Sequence, residues 1–195
     1  AGSDATLISD TRTAIRVNTS GAGTALDIST ALLGKFGGFD RLTIGSTGAS
    51  ASIVTGDITL PTHTTFASGG GSITLGGISG NGSVDLITSS VGSTVTFKGD
   101  VSGVRDLATT GTPTGIVIDT ASISTTRKQT YNADIALGSG SASRTLSAPT
   151  IEISGGHSIT AGAHDLALRT DTLLLGGNIT GSAGTGMPDS TAWSW

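Results

Sequence analysis

The sequence predicts an all-β fold, a β-solenoid whose coils each take roughly 20–23 residues. Three observations lead there. Short segments alternate apolar and polar residues strictly, which marks a strand with one buried face. One local grammar recurs along the chain at a nearly constant interval. The composition also suits stacked strands. Only 12% of the 195 residues are charged, against about 25% in an ordinary globular protein. Ser, Thr and Gly supply the polarity instead, and abundant Ile, Val and Thr favour strands. A disordered chain would be poor in β-branched residues and far from neutral, whereas this chain carries a net charge of only −4.

In chain order, residues 1–36 are expected to form N-terminal strands or a cap. Helical spacing occurs only in "STALLGKFGGF" (29–39), where Ser29 or Thr30 is placed to cap one turn and Gly34 to end it. An irregular loop fits that segment equally. Residues 37–181 are expected to hold the coils. Alternation is strict in "SITL" (72–75), "SVDLIT" (83–88), "STVTF" (93–97), "GIVID" (115–119), "TIEIS" (150–154) and "DLALRT" (165–170).

The recurring grammar is a strand, a Gly, one to three residues, then Ile or Val followed by Ser or Thr. Its anchors are Ile58, Ile78, Val101, Ile159 and Ile179. Three of the four intervals between them equal one coil. The long one, from Val101 to Ile159, is close to three coils, with strands in 115–125 and 129–137 to fill it. One coil cannot bury its own apolar face, so neighbouring coils supply the core. Nine coils about 4.8 Å apart would make a rod of roughly 40–45 Å.

The expected corners are Gly56, Asp57, Gly77, Gly99, Asp100, Gly177 and Asn178. Glycine turns a corner where positive φ costs little, and Asp or Asn hydrogen-bonds its own backbone in a turn. The final segment, 182–195, differs in composition and contains both tryptophans, Trp193 and Trp195. Two positions apart, they share one face of a strand. Two readings stay open: a tail that covers the last coil, or an intermolecular contact in which an aromatic segment docks on another chain.

Several stretches carry a family resemblance. "GGFDRLTIGS" (37–46), "ASGGGSITLGGISGNGSVDLIT" (67–88), "TFKGDVSGVRDL" (96–107) and "RKQTYNADIALGSG" (127–140) resemble repeats of large bacterial surface proteins. These are the filamentous-haemagglutinin-like and autotransporter-like β-helical adhesins. The resemblance covers most of residues 37–181. It implies a right-handed parallel β-helix, export to the cell surface, and a role in adhesion or surface structure.

Chemistry-bearing residues are sparse. There is no cysteine, so thiolate metal sites and disulfides are excluded. The mild acidity, pI ≈ 5.1, argues against nucleic acid, which needs a basic stripe. No apolar run approaches the roughly 18 residues of a membrane span. His157 and His164 lie seven apart near Glu152 and Asp165, and His63 is remote. That spacing usually separates different faces of a coil, so surface or turn roles are expected for all three. "GGGSITLGG" (69–77) lacks the Lys of a phosphate-binding loop. The best catalytic grouping is Asp100 with Asp106, near Lys98 and Arg105. Glycosidases pair two carboxylates about 5–9.5 Å apart, but no aromatic platform for sugars lies beside that group.

The expectation is therefore a non-catalytic, extracellular structural or adhesion protein of a bacterial surface, without cofactors. Its partners would be a receptor or glycan, or copies of itself, since open solenoid ends pair unless they are covered. The alternative is a carbohydrate-active β-helix enzyme, a polysaccharide lyase or hydrolase. Ice or crystal binding by flat Thr columns ranks last, because the outward Thr positions vary between units.

Overall fold

A computed structural model describes residues 2–9, 14–21, 23–140 and 143–182. The chain winds into a parallel β-solenoid of about six turns. At a spacing of about 4.8 Å, six turns make a rod about 30 Å long. Nine coils follow only if every residue is assigned to one. Instead, the first turn is wide: Leu7 pairs with Ile44 and Ile15 with Ile53, and the segment between holds an extra strand and a helix. Later coils keep the expected period. Ile53, Ile73, Val95, Ile116, Ile135, Ile159 and Ile179 lie in one column, each paired with the next.

Each turn presents three faces. The first face runs from Asp4–Leu7 through Arg41–Ser46, His63–Ser68 and Leu86–Val91 to Thr172–Leu175. The second is the isoleucine column just given, carried by strands from Ala14–Val17 to Ile179–Gly181. The third starts at Ile58–Thr59 and ends at Asp165–Arg169. Two long strands, Val101–Thr112 and Ser122–Tyr131, bend around the corner between the third and first faces. Their pairing shifts register between Val101 and Asp106, which is where the bend falls.

Alternation sends one residue in two inward. Val95, Phe97, Ile116, Ile118, Ile123, Ile151 and Ile153 are all buried. Because successive coils repeat the phase, like stacks on like and the core is continuous along the axis.

The anchor residues of the sequence grammar occupy two columns. Ile58, Ile78, Val101 and Ile123 stack on the third face, followed there by Leu146 and Leu168. Ile159 and Ile179 belong to the second face. The long interval between Val101 and Ile159 therefore contains a change of face. Gly followed by Ile and Thr or Ser serves any corner, so the motif does not say which.

The helical segment is Thr30–Leu33. The Ser29 hydroxyl accepts from the Leu32 N–H, and Gly34 is the C-cap. A 3-10 turn, Gly34–Phe36, follows. Leu33 packs into the core at the N-terminal end of the rod.

Candidate functional site

The densest group of ionisable side chains runs along the corner between the third and first faces. Pairing brings Arg41 beside His63, and places Asp85, Arg105, Asp106, Arg127 and Lys128 on the coils that follow. Arg105 donates to both oxygens of Asp85, at 2.8 and 2.6 Å. Arg127 does the same to Asp106, with Nε at 2.8 Å from Oδ1 and Nη2 on Oδ2. Arg105 Nε lies 3.8 Å from Asp106, which links the two pairs. One coil further, Lys128 Nζ is 2.6 Å from Glu152. The Asp85 N–H donates to His63 Nδ1 at 3.0 Å. The Asp85 carboxylate lies 3.1 Å from the same nitrogen.

This arrangement fixes protonation. The hydrogen bond from Arg127 holds the Asp106 carboxyl below its ordinary value against a smaller opposing effect of burial, and the charges of Arg127 and Arg105 add to it. Arg105 is raised by its hydrogen bond to Asp85, and Arg127 by its bond to Asp106. A carboxylate kept ionised, with both oxygens held by a guanidinium, cannot donate a proton to a leaving group. The ladder braces successive coils.

The turn carboxylates do similar work elsewhere. Asp57 Oδ1 accepts from the Gly77 N–H at 2.7 Å, and Asp100 Oδ1 from the Ser122 N–H at 2.9 Å and from the Thr120 hydroxyl. Asp119 accepts from Gly140 at 2.6 Å and Asp134 from Ser158 at 2.8 Å. The expected turn bond to the residue's own backbone is replaced by a bond to the next coil, because that coil presents its N–H one rung away. At Asn178 the backbone is held instead: its N–H donates to Ser158 Oγ at 3.0 Å. Asn81 makes the local version, accepting from the Ser83 N–H at 3.0 Å.

Gly56, Gly77, Gly99 and Gly177 lie outside the strands and have no positive φ, which occurs at other glycines such as Gly82 and Gly92. They are glycine because the adjacent coil leaves no room. A Cβ on Gly56 would lie 2.2 Å from Asn18 O, and one on Gly99 would lie 2.2 Å from Gly77 N. On Gly77 it would meet Asp57 Oδ1 at 2.7 Å, and on Gly177 it would meet Ser158 Oγ at 2.5 Å.

Asp100 and Asp106 are thus committed to different partners at different corners, Asp100 where the second face passes to the third and Asp106 where the third passes to the first. His157 lies 3.5 Å from Asp134 and His164 sits in a separate turn. Among the described residues no group of three or more His, Asp or Glu is placed to hold a metal. Trp193 and Trp195 lie outside the described residues. The outward column of the second face reads Val54, Thr74, Thr96, Val117, Ala136, Thr160, Thr180. From Val54 onward it is uncharged, with the threonines interrupted; ahead of Val54 the same column holds Arg16 and Asp27.

Two features inside the rod go beyond the alternation pattern. Gln129 is fully buried and donates to Ile123 O and Ser147 O, while Tyr131 donates to Gln129 Oε1 at 3.0 Å. Arg144 is also fully buried, reaching Ile118 O at 3.2 Å and Gly138 O at 2.5 Å, with Nη1 left unbonded. A shallow groove beside the helix is lined by Leu33, Ile58, Pro61 and Ile78, and its single charged group, Asp57, is already held by Gly77. Among the described residues no helix is long and apolar enough to cross a membrane.

No protein family, curated protein or solved structure matches this chain.

Proposed function

We propose that this β-solenoid is a non-catalytic, extracellular structural or adhesion module of a bacterial surface, offering its long faces to a receptor or glycan. The observation that carries the reading is the use to which the carboxylates are put. Asp57, Asp100, Asp119 and Asp134 fasten one coil to the next, and Asp85, Asp106 and Glu152 are engaged by Arg or Lys. Acids arranged for catalysis would converge on one open surface with divergent protonation. These spread along the rod and hold it together. The resemblance of its repeats to β-helical adhesins supports the same reading.

The test is incubation with a panel of neutral and acidic polysaccharides, followed by assays for new reducing or unsaturated ends and for saturable binding to immobilised glycans and to cells. Binding without cleavage is the expected result. Cleavage abolished by Asp100→Asn or Asp106→Asn would overturn the proposal in favour of a polysaccharide-cleaving enzyme.

A further inference from the structure

The corner loop between Ile78–Ser79 and Leu86–Val91 carries the chain's only Asn-Gly pair, Asn81–Gly82. That pair is especially prone to spontaneous deamidation, because glycine has no side chain to obstruct attack by its own backbone nitrogen. The turn calls for the glycine: Gly82 has φ +84°, in the left-handed region that disfavours side chains. Asn81 itself is exposed, so water and hydroxide reach it.

In deamidation, base removes the Gly82 amide proton and the nitrogen attacks Asn81 Cγ. The N–Cγ bond forms, the Cγ–Nδ2 bond breaks, and Nδ2 leaves as ammonia after taking up a proton. Water then opens the succinimide to aspartate or isoaspartate, with no change of oxidation state.

The solenoid holds the groups that this reaction has to move. The Gly82 N–H donates to Gly103 O on the next coil at 2.5 Å. Asn81 Oδ1 accepts from the Ser83 N–H at 3.0 Å. From two coils away, the Thr126 hydroxyl donates to Gly82 O at 3.2 Å. Space is short as well: a Cβ on Gly80 would lie 2.4 Å from Gly103 O, so the neighbouring backbones already touch. A succinimide nitrogen carries no hydrogen. The ring and the Gly82–Gly103 bond therefore cannot coexist.

We propose that Asn81 is a latent modification site that coil-to-coil pairing keeps closed. It deamidates only when the Gly82–Gly103 bond opens, so stacking sets the chemical lifetime of this corner as well as its shape. The product would bring a new carboxylate and, as isoaspartate, an extra backbone methylene into a corner whose pairing depends on register. The inference does not depend on what the long faces bind.

The test holds the full-length protein in mildly alkaline buffer made with heavy-oxygen water, either folded or unfolded in guanidinium. Peptide mapping by mass spectrometry then follows aspartate and isoaspartate at position 81. Deamidation should be slower in the folded chain by at least about tenfold, the factor given by about 1.4 kcal/mol of local opening. The Gly82 amide should be protected from hydrogen exchange. Gly103→Ala should speed the reaction while the far-ultraviolet circular dichroism stays β-rich, because Gly103 has φ +62° and its new Cβ would lie 2.5 Å from Gly80 O, which displaces the Gly103 carbonyl. Equal rates in the folded and unfolded chain would overturn the proposal, as would a folded Gly103→Ala that reacts no faster than wild type. Unprotected exchange of the Gly82 amide in the wild-type chain would overturn it independently of any variant.

Discussion

Substituting Gly99 with Ala tests how closely adjacent coils touch. Gly99 does not need a left-handed backbone, so the substitution imposes no dihedral strain. It does impose contact: the new Cβ would lie 2.2 Å from Gly77 N and 2.5 Å from Gly76 C. These are backbone atoms that no rotamer change can move, so the two coils must part locally. Overpacking of this kind costs about 1–3 kcal/mol. For a chain of this size each kcal/mol lowers Tm by about 2–4 °C, so a mid-range cost of about 2 kcal/mol lowers it by about 4–8 °C. Gly34→Ala is the matched control. Gly34 has φ −62° and an added Cβ would meet nothing within 4 Å, so Ala there should be neutral or stabilising by about 0.4–1 kcal/mol through the unfolded chain. Thermal melts followed by circular dichroism compare the pair. If Gly99→Ala melts with the wild type and Gly34→Ala, the coils are not in the contact described.

Burial pushes the phenol of Tyr131, the chain's only tyrosine, far above its ordinary range. Alkaline titration followed by ultraviolet absorbance should therefore show no phenolate until the protein unfolds, and Tyr131→Phe should cost about 1–2 kcal/mol by leaving Gln129 Oε1 without its donor. The Asp106 carboxyl is lower in the folded than in the unfolded chain, so its stabilisation is complete above the ordinary carboxylate value of about 3.9 and is lost as pH falls through the folded value. Urea titrations should accordingly show wild type ahead of Asp106→Asn by under about 1 kcal/mol at pH 7, since Arg127 is well exposed, with the gap shrinking in acid and in high salt. Arg144→Met should cost about 1–3 kcal/mol, because Ile118 O keeps its bond from Gly138 N but Gly138 O loses its donor and Asp119 its neighbouring cation. Arg144→Ala should lose about 2–4 kcal/mol by opening a cavity.

Strands and period were legible because alternation and spacing are local properties of the sequence. "STVTF" and "TIEIS" became strands Thr94–Phe97 and Thr150–Ile153, and Ser29 capped its short helix. The face to which a strand belongs was not legible, since Ile58 and Ile159 share a motif but not a column. The ionic ladder was missed because its partners sit one coil apart. Asp85 with Arg105, Asp106 with Arg127 and Lys128 with Glu152 are each separated by one coil's length of sequence. Opposite charges repeating at the coil period were the available signal. The crowding at Gly56, Gly77, Gly99 and Gly177 was not legible, because close approach of a neighbouring coil leaves no trace in the residue's own sequence context. Arg144 and Gln129 could not be foreseen as buried, since alternation alone assigns polar residues to the outside.

Paired cysteines test the stacking itself most directly, because the native chain has none. Thr74 and Thr96 are register partners on adjacent coils, and Val117 is the partner of Thr96 one coil beyond. Neighbouring parallel strands lie about 4.8 Å apart, within disulfide reach, while two rungs do not. Mild oxidation of Thr74→Cys, Thr96→Cys should therefore close a bond rapidly within one molecule, and Thr74→Cys, Val117→Cys should remain reduced. Equal linkage of both pairs, or none in the first, would contradict an in-register parallel solenoid.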